Sequence, residues 1–383
     1  MTRKQLIALF LCNFIYYIVG NSTMSLLPVY MEELGGEPTV MGMSFAAAFA
    51  VLAVSTYASG WISARFGRQR VFITLAVLLA TPGVYMMGQA QNMTQLTLWM
   101  VVVWFLFGLG TWMINIITGL SADEAHRGRT FGIIISASGL GQLVGGFSAG
   151  RIVESSSFAM LFVILAGLYL ILVPVTLLVT DKQPPQSAHR TSAENRPLGM
   201  AFYLVLIASV LVFGATFSTD IIRPMAMEAR GFGLTAITST LAVGGLINLP
   251  LPFLIGWLSD RFGRRGTLMA GYALGAVGFV LLLLAGATWQ FWLAQALISV
   301  VAATQSAGSA LVSDVVEPEA LNIALSRYGA TRWIGAVVSF AGAGVAIENF
   351  GLSYTVILSV VLALSAIALI YATRLRPRPA YAV

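Results

Sequence analysis

Gly60-Trp61-Ile62-Ser63-Ala64-Arg65-Phe66-Gly67-Arg68-Gln69 returns as Gly256-Trp257-Leu258-Ser259-Asp260-Arg261-Phe262-Gly263-Arg264-Arg265, so position 60 answers to position 256 at an offset of 196 residues. The match runs upstream without a gap to Pro28 and Pro224. It pairs Met31 with Met227, Glu32 with Glu228, Gly35 with Gly231, Thr39 with Thr235 and Ala46 with Ala242. The register holds across a whole apolar span and both its ends, so the chain reads as two copies of one unit.

Working outward, 58% of residues are hydrophobic and 9% charged, against about 25% charged in soluble domains. The main solvent of this chain is lipid. Apolar spans of about 20 residues are therefore its structural unit, and twelve fit: 5–27, 39–62, 71–89, 96–119, 130–152, 157–179, 199–224, 235–257, 267–287, 290–312, 321–346 and 352–373. They divide six and six around the polar stretch Asp181 to Pro197, which carries Pro184, Pro185 and Ser187 and reads as a solvated linker. The expected architecture is an all-α membrane protein with two pseudo-symmetric six-helix bundles, 1–180 and 199–383, joined by a linker over 181–198. Met1-Thr2-Arg3-Lys4 has the charge of a signal n-region, but the apolar stretch after it is too long and lacks a small-residue cleavage site. It reads as a retained first helix.

Twelve crossings put both termini on one side. Seventeen Lys and Arg residues fall on that side, three (Arg151, Arg223 and Arg230) on the other, and Arg332 lies within a span. This bias predicts cytoplasmic termini and linker. It also accounts for the net charge of +6 without nucleic acid, because the arginines face anionic lipid headgroups. The single Cys12 excludes an intrachain disulfide and a thiol pair for a metal. No Gly-x-x-x-x-Gly-Lys-Ser/Thr loop is present, so no nucleotide, cofactor or metal is expected. His126 and His189, the two histidines, fall in cytoplasmic loops away from any buried nucleophile, which argues against an intramembrane enzyme. Duplicated halves in a membrane chain point to transport, since two similar bundles can rock about a site at their interface.

Twelve spans in a six-plus-six arrangement, with the Gly-x-x-x-[Asp]-Arg-x-Gly-Arg-Arg loop after the second and eighth, resemble the major facilitator superfamily over residues 5 to 373. The resemblance implies a substrate cavity between the halves, lined by spans 1, 2, 4, 5, 7, 8, 10 and 11, with spans 3, 6, 9 and 12 facing lipid. It implies a cytoplasmic gate built from Gly60, Arg65, Gly67, Arg68, Gly256, Asp260, Arg261, Gly263 and Arg264. In this motif the glycine marks a close helix approach, and the arginines bond orphan helix carbonyls or carboxylates. The acidic position is Asp260 in the second copy but Ala64 in the first. The fifth span carries Gly132, Gly139, Gly141, Gly145, Gly146 and Gly150, with Gly145-Gly146 where proton-driven exporters of the family have a Gly-Pro step; close packing of helices asks for the same residues. In the fourth span Trp104 stands where those members have an arginine. The family works as a monomer, and its exporters match the overall pattern better than its importers do.

An ionisable group within a span costs about 2.5 to 3.5 kcal/mol on insertion scales, so it faces the bundle interior with a partner or a task. Arg332 lies about 13 residues into its helix, roughly 20 Å along the span. Helical spacing puts Tyr328, Arg332, Gly335, Ser339 and Gly342 on one stripe suited to a cavity. Arg332 either binds an anionic group on a substrate or bonds backbone carbonyls, Asn115 or Gln305. Asp220 and Arg223, three apart, form either a self-satisfied ion pair or a proton acceptor gated by an arginine. Asn13, Tyr17, Asn21, Trp112, Asn115 and Gln142 in the first half, and Asn248, Gln305 and Trp333 in the second, complete the candidate pocket. Each of these can equally serve helix-to-helix hydrogen bonding. As a set they describe an aromatic pocket with sparse hydrogen bonding, which suits an organic or amphipathic compound better than a sugar.

The reading is a secondary active transporter in the plasma membrane that moves a small organic compound by alternating access. Export is the expected direction, with protons as a candidate coupling ion. Uptake or exchange of an organic anion bound by Arg332 is the alternative, and a channel or receptor is a remote third.

Overall fold

The structure is a computed structural model and describes residues 1–121, 127–182, 198–317 and 320–373. The linker from 183 to 197, together with Asp123, Glu124, His126, His189 and Glu319, lies outside those residues. Among the described residues the chain is helical throughout. The first half holds α1 (Arg3–Glu33), α2 (Pro38–Phe66), α3 (Gln69–Met87), α4 (Met93–Ser121), α5 (Arg127–Ser155) and α6 (Phe158–Thr176). The second holds α7 (Met200–Glu228), α8 (Leu234–Asn248), α9 (Leu251–Phe262), α10 (Arg264–Leu284), α11 (Thr288–Ala303), α12 (Gln305–Val315), α13 (Leu321–Phe350) and α14 (Leu352–Ala372).

Eleven helical stretches are long and apolar enough to cross a membrane, and the bent pair α8–α9 makes a twelfth. Two expected spans depart from a straight helix. The eighth bends by 47° between Asn248 and Leu251, because Pro250 and Pro252 each remove a backbone donor and crowd the preceding turn. The tenth breaks at Thr304, whose N–H reaches both Val300 O and Val301 O at 3.1 Å as it closes α11.

The repeat is legible in the backbone. Gly35 and Gly231 end α1 and the α7 turn with φ of +75° and +76°. Gly35 N donates to Glu32 O and Gly36 N to Met31 O; Gly231 N donates to Glu228 O and Phe232 N to Met227 O, all at 2.8 to 3.1 Å. Gly67 and Gly263 close the helices that carry the two copies of the motif, also with positive φ, and donate to Ser63 O at 3.0 Å and Ser259 O at 3.1 Å. A left-handed cap at a helix end favours glycine, so the conserved register of the two halves fixes where each bundle turns.

The halves meet along α2 with α13 and α5 with α8. Small residues permit this. A Cβ built on Gly146 would lie 2.5 Å from Ala242 N, and one on Gly42 would lie 2.9 Å from Gly344 Cα. Exposed leucines and isoleucines on α3 (Leu75, Leu79), α6 (Leu170, Ile171) and α14 (Ile357, Leu364) form the apolar outer layer, as expected of lipid-facing helices.

Candidate functional site

A cavity of about 590 Å³ lies between the halves. Side chains from all eight expected spans line it, and α6 adds Tyr169. Of the residues expected from sequence, Asn13, Tyr17, Asn21, Asn115 and Gln142 line it from the first half. Asn248, Gln305, Arg332, Trp333 and Asp220 line it from the second. Some of these also tie the bundle together. The Asn13 amide donates to Ile134 O at 2.8 Å and joins α1 to α5, and Asn21 donates back to Tyr17 O on its own helix at 2.8 Å.

Trp112, Tyr328 and Arg223 are not in the lining. Trp112 is 37% exposed and outside the lining, although it stands three positions from Asn115, which lines the cavity. Tyr328 is fully buried in the core of the second half and packs over Gly308, where no side chain could fit. The expected cavity stripe on α13 thus splits. Gly335 meets Val210 O and Gly214 N on α7, and Ser339 donates to Gly214 O at 2.5 Å, so that side serves the α7–α13 contact. Arg332 and Trp333 turn to the cavity.

The aromatic wall is denser than the sequence reading proposed. Phe49 contacts Phe217, Trp333 and Phe340, with ring centroids 5.6, 6.3 and 4.8 Å apart, and Phe107 meets Tyr17 edge-on at 5.7 Å. Phe49 and Phe217 lie among plain apolar runs, and nothing in their spacing marks them out. Gln295 was also missed, although a lone glutamine in a span is the signal that selected Gln142 and Gln305.

Three charged groups sit in or beside the cavity. Arg223 is buried, ion-paired with Asp220 at 3.6 Å and hydrogen-bonded to the Gln295 carbonyl oxygen; Gln295 in turn donates to Ser299 at 3.2 Å. Asp220 and Arg332 both line the cavity. Arg332 itself lies near the middle of the 30-residue α13 and reaches Gln305 at 3.4 Å.

The two faces of the molecule differ. At the face where α1 begins and α14 ends, Arg264 pairs with Asp314 at 2.7 Å and donates to Ala310 O at 2.5 Å, tying α10 to α12. Arg261 stacks over Trp257, and Arg65, Arg68 and Asp260 are exposed. Gly60 and Gly256 have open space where a Cβ would stand, so the close approach expected at these glycines is not made in this conformation.

At the opposite face the halves are pinned twice. Glu154 of α5 accepts from Thr235 N at 2.8 Å and from the Thr235 hydroxyl, while Glu348 of α13 accepts from Thr39 N at 3.1 Å. Thr39 and Thr235 are equivalent residues of the repeat. Neither α2 nor α8 has a side-chain cap from its own N-cap residue, Glu37 or Gly233. Each helix start is instead capped by a carboxylate of the other half, which satisfies orphan donors and complements the positive end of the helix.

The Major Facilitator Superfamily profile matches residues 9–253 and 205–382. The chain belongs to this family. Members are transporters, and this one is a multi-pass membrane protein. Among curated relatives, the uncharacterized MFS-type transporter YfkF of Bacillus subtilis is 25% identical over 195 residues, covering 47% of this chain and 49% of YfkF, about half its length. Multidrug resistance protein MdtG of Escherichia fergusonii is 23% identical over 309 residues, covering 75% of this chain and 74% of the relative. Among solved structures, a variant of the nucleoside transporter NupG superposes with a TM-score of 0.81 at 16% identity, over 96% of this chain and 98% of that one. A bacterial homolog of the human lysosomal transporter Spinster, inward-facing and occupied, gives 0.77 at 15% identity over 97% of both chains. At such identities the structures speak for the fold alone. Trp104 of α4 also lines the cavity.

Proposed function

We propose that this superfamily member is a secondary transporter that moves a small organic, amphipathic compound across the plasma membrane by alternating access, in the direction of export. One observation carries the reading: a single chamber shared by both halves, with the halves pinned at one face while the motif glycines of the other stand clear. A carrier must close one end of such a chamber before it opens the other. The lysine and arginine bias supports a cytoplasmic position for the unpinned face, from which an exporter loads. The likeness to a multidrug resistance protein supports export. The chamber walls, mainly aromatic with scattered amides, support an organic cargo.

Asp220 is the proposed proton site, being a carboxylate within the bundle that lines the chamber and is ion-paired with Arg223. The division into bundles at 1–180 and 199–383, and function as a monomer, belong to the same proposal. Reconstitution into proteoliposomes tests it. Saturable uptake with counterflow is expected, and a pH gradient should drive accumulation in the wild type but not in Asp220→Asn, which keeps counterflow. Unsaturable flux without counterflow would identify a channel instead.

A further inference from the structure

The chamber's two arginines are held differently. Arg223 is 2% exposed and bonds both Asp220 and Gln295, so its charge is spent inside the protein. Arg332 has no such partner. Its one hydrogen bond, to Gln305, is long at 3.4 Å, and its buried Nε has no partner at all. Among the described residues lining the chamber, Asp220 and Arg332 carry charge, and Asp220 is shared with Arg223 behind it. One carboxylate against two guanidiniums leaves the compartment with a net positive charge.

Arg332 is also shaped for a ligand. Its guanidinium lies over the rings of Phe217 and Trp333, 5.6 and 5.8 Å from their centroids. Ring faces stabilise the cation through the π-system and leave its N–H edge in the guanidinium plane. That edge is the fork to which a carboxylate or phosphonate oxygen pair bonds twice. The same rings, with Phe49 and Phe107, offer an apolar wall beside the fork, and the chamber volume suits a molecule of drug-like size.

We infer that the chamber binds a monoanionic organic compound, with its acidic group on Arg332 and its aromatic or apolar body against Phe217 and Trp333. The inference rests on the transport reading above and narrows its cargo to one charge class.

A matched series tests it on the purified full-length protein: 2-naphthoate, 2-naphthylmethylammonium and 2-naphthalenemethanol share one aromatic body and differ in charge. Calorimetric titration should show 2-naphthoate binding at least about tenfold more tightly than the other two, in line with a charge-assisted bond. Arg332→Gln should erase this preference and Arg332→Lys should retain part of it, with thermal unfolding confirming that both variants are folded. Equal binding of the three compounds to the wild type, tighter binding of the cation, no binding of the anion, or an unchanged preference in Arg332→Gln would each overturn the inference. Counterflow separates it from the broader reading. Binding of naphthoate with no counterflow would remove transport and keep the anion site. Counterflow of the ammonium or alcohol compound with naphthoate excluded would remove the anion site and keep transport.

Discussion

The paired caps at the face opposite the chain ends give the sharpest prediction. Glu154 and Glu348 each supply, from one half, the cap that a helix start in the other half lacks. Losing a side-chain cap at a helix start costs about 1 kcal/mol, and both junctions lie at the surface, which argues against a larger figure. Each bond crosses between halves, so its loss falls on the pinned conformation and not on a conformation in which this face has opened. The double variant Glu154→Ala/Glu348→Ala therefore shifts the equilibrium by about 2 kcal/mol, or about 30-fold toward opening at this face, if the two junctions act independently. Single variants shift it by about five-fold. The assay is the rate at which a maleimide labels a cysteine placed at Phe45, fully buried against Phe340 at the α2–α13 contact, in a Cys12→Ser background. Labelling that rises in proportion supports the account. Unchanged labelling in the folded double variant would refute it.

Three further outcomes follow from named contacts. Asp220→Ala strips the buried Arg223 of its carboxylate and should lower stability by about 1 to 3 kcal/mol, seen as a drop in melting temperature; adding Arg223→Met should recover most of it, since a buried arginine removed with its partner costs far less than one left without a counter-charge. Gly146→Val places carbon where Ala242 already stands, 2.5 Å away for the first atom alone, so it should hold α5 off α8 and raise Phe45-site labelling while cutting counterflow at least several-fold. Trp112→Ala should leave binding in the chamber unchanged within error, whereas Trp333→Ala should weaken it about tenfold by titration; equal effects would contradict the placement of the two residues.

Much of the fold was written in the repeat. Gly35, Gly67 and their partners Gly231 and Gly263 recur because both bundles need a left-handed cap at the same places, and this constraint is local enough to survive in sequence. The kink at Pro250 was not read, because the span 235–257 was drawn as one helix, although two prolines two residues apart cannot sit in a straight helix without loss. The cavity was harder. Spacing placed Arg332 in the bundle interior, but helical periodicity alone could not say that Gly335 and Ser339 on the same stripe would be taken up by α7. Trp112 is a similar case: a tryptophan in a span reads alike whether or not it lines the cavity. Glu154 and Glu348 were overlooked because carboxylates near helix ends look solvated, and their partners are backbone donors 81 and 309 residues away. Their partners Thr39 and Thr235 had already been matched by the repeat, which was the available clue.

Alternating access about the shared chamber is tested most directly by paired distance measurements. Spin labels at Trp61 and Trp257, exposed equivalents at the face of the chain ends, report one gap, and labels at Glu37 and Tyr354 report the other. On addition of a bound compound or in the Glu154→Ala/Glu348→Ala variant, the account predicts that the first distance shortens as the second lengthens. Two distances that stay fixed, or that lengthen together, would contradict it.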